Sequence, residues 1–471
     1  MRAHNPRTGE ADYEFAVNSR AEIASEATRL RDAQPAWEAL GPEGRAAVML
    51  KFADAVDAAA GPIAEALAVD TGRHAISWIE VEALSNNIRR WAELGPKLFV
   101  GLDRVSKPSA TPGFEIRSDY SAYPLFGAIA PWNFPVILSH IDAVPALMAG
   151  CAALVKPSEV TPRFAEPLRE VLAEVSELPL AYVMGGAEVG QALIEEVDYV
   201  CFTGSTATGR KVAEAAARQL IPANLELGGK DPMIVTASAD PQWAAGVALR
   251  ASIVATGQAC QSIERIFVAR EIAEPFLTAL VEAAEQVEIT YPDPKQGHIG
   301  PFIFPDQAGK VQAQIEEAVS QGARVLTGGK VEQLGGADYL RPTVLADVTP
   351  DMAVMRDETF GPVLPVKICD DLEQAIALAN DTTYGLSAAV LAGSLEEAVQ
   401  VGTCLEAGAI SLQDGALTTM VNDATNHSRK TSGLGPSRMG DEGLLRFLRH
   451  RAMIAQTGQA LPIDAYREGQ G

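Results

Sequence analysis

Val197-Asp198-Tyr199-Val200-Cys201-Phe202-Thr203-Gly204-Ser205-Thr206-Ala207-Thr208-Gly209 is the stretch on which the fold turns. Residues 197–202 form a short, nearly continuous apolar run. Residues 206–219 are dominated by Ala, Arg, Lys and Glu. An apolar run without alternation suits a strand buried on both faces, and such strands belong to parallel sheets. The tract after it reads as a helix. The small residues between them leave backbone amides free at a helix N-terminus, where a phosphate can approach. Their spacing is neither the G-x-G-x-x-G fingerprint nor a P-loop.

The same strand-then-helix unit recurs on both sides. Upstream, residues 125–130 read as a strand ended by Pro131, with a helical stretch to about Met148. A strand at 151–155, a helix from about 162 to 175, a short run at 181–184 and a helix at 190–195 follow. Downstream of Leu225-Glu226-Leu227-Gly228-Gly229 the rhythm changes. A long helical tract spans 241 to about 256, then a strand 263–269 and a helix 272–287, with further units to about 415. The expected class is α/β, with mainly parallel sheets covered by helices on both faces.

Other segments frame this pattern. Residues 19–71 read as helical, with a break at Gly41-Pro42. Residues 101–113 carry Pro and Gly and read as a loop or excursion. Residues 114–123 read as an exposed strand pair, 452–456 as an edge strand in need of a partner, and 428–440 as an ordered loop or a mobile flap.

The chain has 471 residues, 47% of them apolar, which suits two or three domains of roughly 150 residues each. Lys and Arg number 38 against 61 Asp and Glu, for a net charge of −23. That balance argues against a nucleic-acid partner and against an anionic membrane surface. Five scattered cysteines suit neither a disulfide framework nor a zinc site, so no metal is expected and a cytoplasmic setting with reduced thiols is. The polar start, residues 1–20, does not read as a secretory signal. The longest apolar stretch, 143–155, is shorter than the roughly 20 residues of a membrane span, and reads as a buried helix end followed by a strand.

Four local features carry chemistry. Cys260, in Gly257-Gln258-Ala259-Cys260-Gln261-Ser262, lies between a helical tract and an apolar strand. Backbone amides at such a junction favour a thiolate and supply an oxyanion contact. The plainer alternative is a small core residue, which suits the other four cysteines. Glu226 lies between two leucines and before paired glycines, a setting for a general base or for an edge-strand carboxylate facing water. Asn133, between Pro131 and Pro135, offers an amide to an oxyanion or caps a turn. Lys156-Pro157-Ser158-Glu159 follows a strand and suits ribose hydroxyls or a solvated turn.

Taken together, the motifs resemble the NAD(P)-dependent aldehyde dehydrogenase superfamily over nearly the whole chain. Its Pro-Trp-Asn-Phe-Pro stands at 131–135, Lys-Pro-Ser-Glu at 156–159 and Phe-Thr-Gly-Ser at 202–205. Its Glu-Leu-Gly-Gly-Lys stands at 226–230, Gly-Gln-x-Cys at 257–260 and Glu-x-Phe-Gly-Pro at 358–362. Asn-x-x-x-Tyr-Gly-Leu stands at 380–386 and Ser-Gly-x-Gly at 432–435. Glu226 and Cys260 are 34 residues apart, in agreement with that family.

The resemblance implies oxidation of a small-molecule aldehyde to a carboxylic acid. Cys260 would be the nucleophile, Asn133 an oxyanion donor and Glu226 the base that hydrolyses a thioester. Ile129 and Trp132 would line the cofactor cleft. Lys156, Ser158 and Glu159 would hold the adenosine ribose, with Gly186 near the adenine. Phe202, Thr203, Gly204, Ser205 and Gly209 would meet the pyrophosphate region. Leu227, Glu358 and Phe360 would meet the nicotinamide side. The carboxylate of Glu159 would repel a 2′-phosphate, so NAD is expected over NADP. Leu138, Ile141 and Gln261 are expected in the substrate tunnel. Asp142 departs from the family, where Lys is common, as does Ser428-Arg429-Lys430.

The resemblance further implies a Rossmann-like cofactor domain at 1–103 and 124–228, and an α/β catalytic domain at 229–440. A small β oligomerisation or bridging element at 104–123 and 441–471 would build a homodimer or homotetramer. Two other functions compete. A CoA-acylating relative commonly lacks the base that Glu226 supplies, and a non-redox thioesterase or esterase has no use for the cofactor residues.

Overall fold

The computed structural model describes residues 1–100, 102 and 106–469. The first sheet has six strands in the order Gly433–Leu434, Ala223–Glu226, Tyr199–Thr203, Leu125–Ile129, Ala152–Lys156, Leu180–Tyr182. All neighbours are parallel except Gly433–Leu434, which runs antiparallel to Ala223–Glu226. Alternation sorts the strand side chains to two faces. Leu125, Ile129, Leu154, Val200 and Phe202 join Ile23, Leu30, Leu193 and Val212 in one core. Phe126, Ala128, Ala153, Val155 and Cys201 join Phe52, Leu84, Trp91 and Leu168 in another. Helices on both faces explain why these strands are apolar throughout.

The second sheet has seven strands in the order Arg324–Thr327, Thr343–Ala346, Val363–Cys369, Ile263–Ala269, Asp231–Val235, Ser387–Leu391, Ala409–Leu412. Only the Arg324–Thr327 edge pairing is antiparallel. Ile234 and Phe267 face one core, Met233, Val235, Ile266 and Val268 the other. A third sheet is antiparallel, with Phe114–Ala122 between Leu448–Gln456 and Ser106–Pro108. No described helix is long and apolar enough to cross a membrane.

Several local expectations hold. The helix Thr206–Gln219 and the strand Ile263–Ala269 have the expected limits, and 143–155 is a helix end followed by a strand. Others are corrected. Residues 114–123 hold one nine-residue strand, Phe114–Ala122, whose partners lie elsewhere in the chain. The expected loop at 101–113 contains the strand Ser106–Pro108, while 101 and 103–105 lie outside the described residues. The boundary expected at 103/104 falls there too, and 470 and 471 are likewise outside.

The helical stretch expected to Met148 is two helices, Pro135–His140 and Ala143–Ala149. The tract expected to 256 ends at Ile253, because Ala255 (φ 56°) and Thr256 (φ 62°) turn left-handed before Gly257. The segment 428–440 is the ordered loop rather than the flap. Ser432 is buried in it, and Leu227 N–H donates to the Ser432 carbonyl at 2.9 Å.

Candidate active site

The carboxyl ends of the first sheet's parallel strands lie along one edge, at Ile129, Lys156, Tyr182, Thr203 and Glu226. Leu125–Ile129 has the later strand Ala152–Lys156 on one side and Tyr199–Thr203 on the other, so the strand order reverses at it. In parallel α/β sheets the crevice at such a reversal is where ligands bind. The sheet-to-sheet passage from Glu226 to Asp231 leaves the same edge.

Cys260 sits in the turn between the left-handed Ala255-Thr256-Gly257 bend and the strand Ile263–Ala269. Gln258 anchors that turn. Its side chain donates to the Pro301 carbonyl at 3.2 Å and accepts from Ile303 N–H at 2.9 Å. The buried Asn133 amide donates to the Gln258 carbonyl at 3.0 Å, two residues from the thiol. Arg73, just before the long helix His74–Val100, donates to the Asn133 carbonyl, and Glu80 on that helix accepts from Val136 and Ile137 N–H, so both hold the proline-flanked turn.

Gly228 and Gly229 run between Cys260 and Glu358. A Cβ at Gly229 would meet the Cys260 carbonyl at 2.4 Å, and one at Gly228 would meet the Glu358 carboxyl at 2.8 Å. Paired glycines are therefore what lets the three segments close up. Glu358 accepts from Gly229 N–H at 3.0 Å. Burial, reinforced by Glu264, raises its carboxyl to about 7, against the opposing pull of the Gly229 amide and Lys230.

The thiol corrects one expectation. Burial pushes the Cys260 thiol up to about 12, helped by Glu358, Asp231 and Glu226 and opposed by Arg438. Amides at the junction do not outweigh desolvation and three carboxylates.

Glu226 ends the strand Ala223–Glu226 and keeps 18% side-chain exposure. Ser428 donates to its Oε2 at 2.8 Å, and Arg438 Nε lies 3.8 Å from Oε1. It is not an edge-strand carboxylate, because Gly433–Leu434 covers that flank.

The expected cofactor residues fall into two groups along the edge. Trp132 packs edge-on to Phe360, with ring centroids 5.4 Å apart, and stacks on Phe304 at 6.0 Å. Phe360 has a left-handed backbone (φ 54°), held by its N–H donating to Glu264 at 2.7 Å. At the other group, Lys156 Nζ donates to the Pro157 carbonyl at 2.9 Å, the Gly185 carbonyl at 2.7 Å and Glu159 at 3.1 Å. Burial lowers its amine and Glu159 opposes the shift. Glu159 remains 38% exposed, and a Cβ on Gly186 would lie 3.7 Å from its carboxyl oxygen. The buried Ser158 accepts from Val160 N–H at 3.2 Å.

Ser205 caps the helix Thr206–Gln219 by accepting from Thr208 N–H, with Gly204 just before it. Gly209 faces Leu227, which a Cβ would meet at 2.4 Å. Ile129 and Phe202 are buried in the same core as Leu227, and the Thr203 hydroxyl accepts from Arg438 at 2.8 Å. Leu138 and Ile141 are half-buried on the helix Pro135–His140 and its cap. Gln261 accepts from the Thr418 hydroxyl at 2.8 Å.

Glu264, Arg438 and Arg446 escape the motif reading, and each pairs with a residue the motifs or their departures did mark. Lys230 and Glu264 form a fully buried ion pair at 2.8 Å that holds Thr359 and Phe360. A hint lies in the charged Glu264-Arg265 inside an otherwise apolar strand. Arg438 and Arg446 clasp the buried Asp142. Burial alone would raise its carboxyl, but the two guanidinium groups hold it below the usual range.

Residues 1–453 match the model of the aldehyde dehydrogenase family. A protein of Mycolicibacterium smegmatis, named a putative NADP(+) succinate-semialdehyde dehydrogenase, is 35% identical over 470 residues, 97% of this chain and 88% of that one. A solved structure described as a putative aldehyde dehydrogenase, PutA, from Anabaena variabilis is 46% identical, with a TM-score of 0.95 and 98% of each chain covered. The Escherichia coli lactaldehyde dehydrogenase structure is 30% identical, with a TM-score of 0.91, covering 97% of this chain and 95% of the other.

Proposed function

The chain belongs to the aldehyde dehydrogenase family, and from that premise we propose that it oxidises a small aldehyde to its acid through Cys260. The observation that carries the reading is the Asn133 amide bonded to the Gln258 carbonyl, which sets an oxyanion donor beside the thiol. As the thiol proton passes to solvent, Cys260 sulfur attacks the carbonyl carbon and forms a thiohemiacetal. The Asn133 amide and the Cys260 N–H receive the oxyanion. A nicotinamide cofactor held by the residues named below would supply the acceptor for the hydride, and the carbon left on Cys260 would then be a thioester. Glu226 then takes a proton from water, whose oxygen adds to the thioester carbon as the C–S bond breaks. Glu226→Gln is expected to keep the first burst of NADH and lower steady turnover by about 10²-fold. An unchanged steady rate would remove Glu226 from this role. A turnover that required added CoA would favour the acylating alternative.

The residues fit a dinucleotide. Glu159 and Gly186 suit the adenosine ribose end, the Ser205 amide just before a helix N-terminus suits the pyrophosphate, and Trp132 and Phe360 with Glu358 suit the nicotinamide ribose. NAD is the preferred cofactor in this reading. All three Lys156 donors are already engaged, so its ammonium is not free for a 2′-phosphate, while Glu159 repels one. The Mycolicibacterium smegmatis relative is named for NADP(+); Glu159 argues the other way for this chain. Glu159→Gln is expected to raise NADP use relative to NAD about tenfold in kcat/KM. A parent protein that turns over NADP better than NAD overturns the assignment.

In the same reading, residues 1–103 and 124–228 bind the cofactor, and 229–440 carry the nucleophile. Residues 104–123 and 441–471 bridge subunits of a cytoplasmic homodimer or homotetramer, with the exposed strand Leu448–Gln456 as a pairing edge. Light scattering decides between these states, and a monomer refutes both.

A further inference from the structure

Arg438 lies outside every motif quoted above, yet it is the cation nearest Glu226. One guanidinium nitrogen donates to Asp142 at 2.9 Å and to the Thr203 hydroxyl at 2.8 Å. Its Nε–H is buried with no hydrogen-bond partner and stands 3.8 Å from Glu226 Oε1. A buried donor left without an acceptor is costly, and a small rotation of the glutamate satisfies it. The other glutamate oxygen already accepts from Ser428.

The rest of the cluster keeps Arg438 in place. Asp142 is shared with Arg446, which also donates to the Asn224 side chain at 2.9 Å. Asn224 is on the strand that ends at Glu226, and its amide donates to the Pro436 carbonyl. Two carboxylates and two guanidinium groups thus balance in one buried cluster. The departure at Asp142 supplies the negative charge that a guanidinium at 438 needs there.

We infer that Arg438, anchored by Asp142 and Thr203, is a positioning residue for Glu226. It holds one carboxylate oxygen while Ser428 holds the other, so the base keeps one orientation when it takes the proton of the hydrolytic water. The inference rests on the reading of Glu226 as general base.

The test uses the full-length protein and p-nitrophenyl acetate, which acylates the thiol without cofactor. The burst of p-nitrophenolate reports acylation, and the steady rate reports hydrolysis of acetyl-Cys260. Arg438→Gln is expected to lower the steady rate about tenfold and to leave the burst rate within about twofold. In a Glu226→Gln background the same substitution should change the steady rate by less than about twofold, because the two act through one group. An equal loss in both backgrounds, or burst and steady rates falling together, overturns the inference. So does an unaffected Arg438→Gln beside a slowed Glu226→Gln. A Glu226→Gln protein as fast as the parent overturns the general-base reading itself. Arg438→Lys keeps a positive charge beside Asp142 without the fork that reaches Glu226. It gives the same kinetic pattern should the glutamine variant not fold.

Discussion

Replacing Cys260 with alanine is expected to abolish aldehyde oxidation, by at least about 10⁴-fold, while NAD affinity stays within about twofold. No other cysteine can stand in. Cys151, Cys201 and Cys369 are buried, and Cys404 is exposed. Cys260 is half-buried, between these extremes, and sits in the turn beside the Gln258 carbonyl that binds Asn133. Turnover measured by NADH absorbance and binding by calorimetry check the two halves. Substantial residual oxidation in Cys260→Ala would refute the nucleophile.

The same thiol sets a pH dependence. With a value near 12, the free protein holds a neutral thiol at neutral pH. The thiolate fraction, and so the rate of alkylation by iodoacetamide, is expected to rise about tenfold per pH unit between roughly pH 7 and 9. Mass spectrometry of the Cys260 peptide separates this from the exposed Cys404. A rate flat over that interval would mean a thiolate already formed. The mechanism follows from the same sign, because the proton must leave the sulfur as the carbonyl is attacked.

Lys230→Met is expected to destabilise the protein by about 3–5 kcal/mol, the cost of leaving a buried carboxylate unpaired. Lys230 is fully buried, and its amine donates to Glu264 and to the Thr359 hydroxyl, each at 2.8 Å. Glu264 in turn accepts from the Thr359 and Phe360 N–H groups at 2.8 and 2.7 Å. The pair therefore fixes the left-handed turn that follows Glu358 and carries Phe360. A fall in the thermal midpoint reports the stability, and a several-fold rise in KM for NAD reports the loosened turn. Lys230→Met with Glu264→Gln removes both charges and should recover part of the stability. A double variant worse than the single one would contradict the unpaired-charge account.

What was legible in the chain was local. The helix Thr206–Gln219 and the strand Ile263–Ala269 are written in runs of 14 and 7 residues, where periodicity and turn residues act on neighbours. Where partners are distant, the pattern is silent. Phe114–Ala122 alternates weakly in sequence, and the strand that pairs with it, Leu448–Gln456, lies more than 300 residues on. Its register comes from backbone hydrogen bonds that no local pattern encodes.

The candidate site divides the same way. The chain by itself determined the α/β class and the motifs, and it marked Cys260, Glu226 and Asn133 as candidates through their neighbours. Only the tertiary structure decided the electrostatics around them. The thiol is pushed up rather than down because the fold desolvates it, and Glu358 and Asp231 add to the shift. Glu226 meets Arg438 because Asp142 and two arginines from the C-terminal part of the chain meet beside the strand that carries it. Coulomb energy and desolvation depend on distance and burial in space, and neither quantity is a function of sequence separation.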